Sequence, residues 1–200
     1  MELTFDLETK PITRALIASA VKSIDSPGVS DSVRAPKTHH ELLQVGVTRA
    51  AYDISNKALL LLGRSGLSSS SSLPEDAPVI IGFSLFVMLG IIHAVGKEGI
   101  ALDIKELTEG LIAQHLDQKI RTTGNDEAAK KELLEISRIA TQIPGQIVET
   151  AKGEVEALFS RCYSVIPGFV LGNDEAREEL MPIFGIALHL LLQSQIGPNR

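Results

Sequence analysis

The sequence predicts an all-α fold, a single-domain helical bundle of about seven helices spanning residues 1–200 around one central hydrophobic helix, and three observations carry that prediction. Residues 78–95, PVIIGFSLFVMLGIIHAV, contain no Asp, Glu, Lys, Arg, Asn or Gln. A helix so apolar on every side must be wrapped by other helices or sit in lipid. The segments before and after it carry apolar residues at alternating spacings of four and three, stripes that need a core to cover. Cap residues, Gly and Pro punctuate these segments where helices should start and stop.

Composition narrows the function classes. The chain is long enough to bury a core without disulfides, and 44% hydrophobic against 22% charged residues is a globular balance. Lys+Arg 19 against Asp+Glu 25 leaves a net charge of −6, with no basic patch to neutralise phosphates, so a nucleic-acid partner is not expected. Aromatics are 4% with no Trp, which predicts a core of Leu, Ile, Val and Ala. Cys162 is the single cysteine, so neither an intramolecular disulfide nor a thiolate zinc cluster is available. The acidic start MELTFDLETK is unlike a signal peptide, and the expected location is cytoplasmic.

In chain order, residues 1–8 alternate like a short extended arm. Thr9 and Pro11 open a helix presenting Leu16, Ile17, Ala20, Val21 and Ile24, and residues 26–37 read as loop. Thr38 and Glu41 form a capping box, from which a long helix runs to about Leu62 with Leu43, Val47, Ala50, Ile54, Ala58 and Leu61 inward and Gly63 as its terminator. Residues 63–76 are a flexible Ser-rich loop that gives the apolar helix room to thread the centre. Asp103 caps the next helix, with Ile104, Leu107, Leu111, Leu116 and Ile120 on its apolar side and a stop at Gly124. Asn125 or Asp126 opens a helix striped by Ala129, Leu133, Ile136, Ala140 and Ile143. A sixth follows from about Gln146 to Ser164, bounded by two Ile-Pro-Gly breaks at 143–145 and 166–168, with Val148, Ala151, Val155, Leu158, Cys162 and Ile166 inward. Asn173 or Asp174 caps the last, and Pro182 should kink or restart it.

The chemistry-bearing residues are few. No nucleophile elbow, P-loop or dinucleotide fingerprint is present, so no catalytic residue is named and the protein reads as a non-enzyme. His39, His40, His93, His115 and His189 lack helical metal spacing, and Glu106, Glu109, His115 and Asp117 do not supply it, so no metal and no cofactor is expected. His93 and His189 each stand as the ionisable side chain of an apolar stretch, a buried polar pair or a ligand site if those helices meet. Cys162, on an inward stripe, reads as a small core hydrophobe. The acid excess of residues 143–200, in Glu149, Glu154, Glu156, Asp174, Glu175, Glu178 and Glu179, suits a basic protein partner.

The function these features suggest is a non-catalytic protein-interaction module, an adaptor, inhibitor, immunity-type or regulatory bundle working through its acidic surface or an apolar groove. Two alternatives stand beside it: a soluble bundle that inserts residues 78–95 into a membrane, and a helical pocket or enzyme for a small apolar ligand using His93 and His189. The bundle reading of residues 78–95 outweighs a membrane span, because the stretch is short for a bilayer and lacks flanking Lys and Arg clusters. Its small residues Gly82, Gly90 and Ala94 recur at multiples of four and would let neighbouring helices approach, so Gly90→Leu should overpack the core. A homo-oligomer is compatible with these features.

Overall fold

The computed structural model describes residues 7–24, 38–64, 77–124, 127 and 154–195. These residues form a short 3-10 turn, Leu7–Thr9, and six α-helices without strands: α1 (Pro11–Ile24), α2 (His39–Arg64), α3 (Ala77–Lys97), α4 (Ile104–Thr123), α5 (Glu154–Val170) and α6 (Asp174–Gln195). Of the arm expected at 1–8, Leu7 and Glu8 belong to the 3-10 turn and residues 1–6 lie outside the described residues, as do the helix expected at 126–143, Glu127 apart, and residues 65–76 of the loop expected at 63–76.

Helix α3 lies at the centre, in contact with all five other helices. Between Ile81 and Ile91 every residue but Leu89 is buried. Its surroundings are thus other helices, the first of the two environments that an all-round apolar helix permits. A second central helix, α2, touches α1, α3, α4 and α6. Leu43, Val47, Ile54 and Ala58 of its expected stripe are fully buried, but so are Ala51 and Ser55, with Tyr52 nearly so, which widens the stripe beyond one face. Ala50 is only half-buried. One hydrophobic cluster draws residues from all six helices.

The scarce aromatics concentrate inside that cluster. Phe169 of α5 meets Phe184 of α6 edge-on with centroids 6.2 Å apart, and Phe184 meets Phe83 of α3 at 6.4 Å. Phe83 stacks on Phe86 at 6.0 Å, and Phe86 lies 4.7 Å from Tyr163 of α5. A chain of five rings therefore knits α3, α5 and α6, each contact adding to the area it buries. The mainly aliphatic core expected from composition holds around this aromatic spine.

Helix ends follow their local chemistry. The Thr38 Oγ1 accepts the Glu41 N–H at 3.1 Å while the Glu41 carboxylate accepts the Thr38 N–H at 3.1 Å, the reciprocal capping box. Asp103 Oδ1 accepts the Lys105 N–H at 2.8 Å at the start of α4, which ends before Gly124 at φ 68°. α3 and α5 close in the same way, at Gly99 and Gly172, both in the left-handed region. The N–H of Ile100 reaches the Val95 carbonyl and that of Gly99 the Gly96 carbonyl, while Asn173 and Gly172 repeat the pattern on Gly168 and Phe169. Both are Schellman terminations.

Several expected boundaries move. α2 continues through Gly63 to Arg64, and α5 runs through Ile166-Pro167-Gly168 to Val170. Pro167 falls in the last turn, where losing one N–H removes a single ladder bond while Ile166 and Phe169 stay buried on either side. α6 is likewise continuous through Pro182 rather than restarting there. On α1, Val21 is exposed and Thr13 and Ser23 take buried positions instead. Ile104, the first residue of α4, is also exposed.

The start of α1 shows a cap that no local spacing marks. The Lys10 carbonyl accepts the Arg14 N–H at 2.9 Å, which makes Lys10 rather than Thr9 the residue at the cap position. Its side chain has no acceptor to offer. The Glu98 carboxylate, at the end of α3, fills that role: it accepts the Ile12 N–H at 2.8 Å, the Thr13 N–H at 2.9 Å and the Thr13 hydroxyl at 2.7 Å. Lys10 Nζ in turn donates to the Glu98 carbonyl at 2.6 Å. A carboxylate on a helix N-terminus meets both free N–H groups and the positive end of the dipole.

Candidate functional site

Of the seven acids named from sequence, Asp174, Glu175 and Glu178 are shown at the surface, and all three lie on the first turns of α6. The helix begins abruptly after the Leu171-Gly172-Asn173 turn, with Asn173 Oδ1 accepting the Ala176 N–H at 3.3 Å. The acids follow at the end of the helix where negative charge is favoured. The cation among them, Arg177, turns back onto the protein. Its guanidinium carbon sits 5.7 Å from the centre of the Phe169 ring, and Lys57 of α2 approaches the same ring at 5.7 Å. Arg177 also reaches Asp174 at 3.7 Å, a solvent-exposed pair of small energetic weight. Leu171, about half exposed at the turn, flanks this edge. Glu149 lies outside the described residues, as do the side chains of Glu154, Glu156 and Glu179.

Of the two histidines, only the placement of His93 is described. His93 is exposed, which corrects the expectation of a buried imidazole. Its neighbours on that side of α3 explain the placement: Leu89 and Ile92 are half-buried and Gly96 is exposed, positions three, four and seven apart. They form the strip along which the end of α3 reaches the surface, and the polar side chain lies on it. The side chain of His189 lies outside the described residues.

A polar contact that the sequence did not mark joins α2 to α4. The Tyr52 hydroxyl lies 3.2 Å from His115 Nδ1, with the rings edge-on at 6.0 Å. Tyr52 is 6% exposed, and this burial pushes its hydroxyl above the ordinary value, a hydrogen bond from Asn56 working the other way and the charge of Asp53 adding to the rise. The described acids considered with His115 have other partners. Glu106 accepts from Gln44 at 2.5 Å and Glu109 faces Lys105 at 3.9 Å, while the side chain of Asp117 lies outside the described residues. Among the described residues no three His, Cys, Asp or Glu side chains are grouped to hold a metal ion. Cys162 is fully buried, and desolvation pushes its thiol up to about 12, which suits the hydrophobe expected on that stripe rather than a nucleophile.

Among the described residues no helix is long and apolar enough to cross a membrane. No protein family, no curated protein and no solved structure matches this chain.

Proposed function

We propose that this protein is a non-catalytic interaction module that engages a basic protein partner along the first turns of α6. The observation that supports the reading is the exposure of Asp174, Glu175 and Glu178 together on the first turns of α6, where the cation among them, Arg177, lies over the Phe169 ring and pairs with Asp174 alone among the three. Such an edge attracts a positively charged surface and speeds encounter more than it raises affinity. A helix packed against five others and buried along most of Ile81–Val95 is a scaffold element, and that burial weighs against the membrane-inserting alternative. Exposure of His93 weighs against the apolar-pocket alternative.

The test is a charge reversal, Asp174→Lys with Glu175→Lys and Glu178→Lys, compared with the wild type by crosslinking and mass spectrometry in extracts of the native host at low and at about 0.5 M salt, where exposed charges are screened within a few ångströms. A partner captured by the wild type and lost both in the variant and at high salt supports the acidic edge as the docking surface. Retention of every wild-type partner by a folded variant refutes it.

A further inference from the structure

We draw no further inference here: the strongest candidate, the Tyr52–His115 side-chain cluster between α2 and α4, has its tyrosine buried within the core, and nothing among the described residues shows what ligand or partner would reach it.

Discussion

At Gly90 α3 and α5 are in close contact, and the contact allows one substitution to separate helix propensity from packing. A Cβ built on Gly90 would meet Ile166 Cδ1 and Tyr163 Cδ1 inside any normal contact distance, and Tyr163 Cε1 at 2.7 Å. Six residues further along the same helix, a Cβ on Gly96 would have no atom within 4 Å. Replacing Gly by Ala gains about 1 kcal/mol of helix propensity in a helix interior, somewhat less in the last turn where Gly96 lies. At Gly90 the gain is opposed by overpacking, which costs about 1–3 kcal/mol. The Ile166 methyl can rotate away, but the Tyr163 ring is braced by Phe86 at 4.7 Å, so α5 itself must move. Gly90→Ala is therefore expected to destabilise by about 1 kcal/mol net and Gly90→Leu by about 3 kcal/mol or more, while Gly96→Ala stabilises by about 0.5 kcal/mol. For a chain of this size each kcal/mol corresponds to about 2–4 °C in Tm. Urea unfolding followed by circular dichroism reads all three, and adding Tyr163→Ala to Gly90→Ala should recover part of the loss. If Gly90→Ala stabilises as much as Gly96→Ala, the close approach of α3 and α5 is wrong.

Glu98→Ala strips two N–H groups and a buried hydroxyl of their acceptor, so it should cost about 2–3 kcal/mol, with Glu98→Gln losing roughly half as much because an amide oxygen still accepts. Equal stability of Glu98→Ala and wild type in urea would show that α1 starts without this cap. Phe184→Ala removes the ring that links Phe83 to Phe169 and should cost about 3–5 kcal/mol, seen as a lower urea midpoint, whereas a loss under 1 kcal/mol would mean the aromatic spine is not packed as described. The Cys162 thiol stands at about 12 in the folded protein against an ordinary 9.0, and burial also lifts Tyr163 from 10.0 to about 12, with Cys162 a lesser cause. Below pH 9 both groups keep their protons in either state, so the full benefit of burial is present. Above pH 9 the unfolded chain releases them first, and stability should fall steadily towards pH 12, less steeply in Cys162→Ala. The same burial should block DTNB at pH 8 until the protein unfolds, and rapid stoichiometric labelling of native protein would contradict it.

The legible parts of this protein were those decided within a few residues. Thr38 with Glu41, Asp103, Asn173 and Gly124 act where their side chains or backbone freedom act in any helix, because a cap is a bond between near neighbours. The apolar stretch also announced its own burial, since it offers water no polar face on which to rest. Ile-Pro-Gly at 166–168 misled because a proline near the end of a helix loses one bond, which buried neighbours on α5 outweigh. Of the candidate site, the acidic character of the α6 start was readable from composition, but not that Arg177 would be drawn onto Phe169, a residue brought near it only by the tight turn and the ring packing.

What sequence determined alone, then, was which segments coil and which of them must be hidden, both consequences of spacing and side-chain polarity acting along a single helix. Only the tertiary structure decided that α2 shares the centre with α3, that His93 lies on a strip of α3 reaching the surface, and that Glu98 caps a helix starting 87 positions earlier in the chain. Each of these depends on which helix faces which. Periodicity fixes the angle of a residue around its own axis, but not the direction in which that axis is turned by its neighbours.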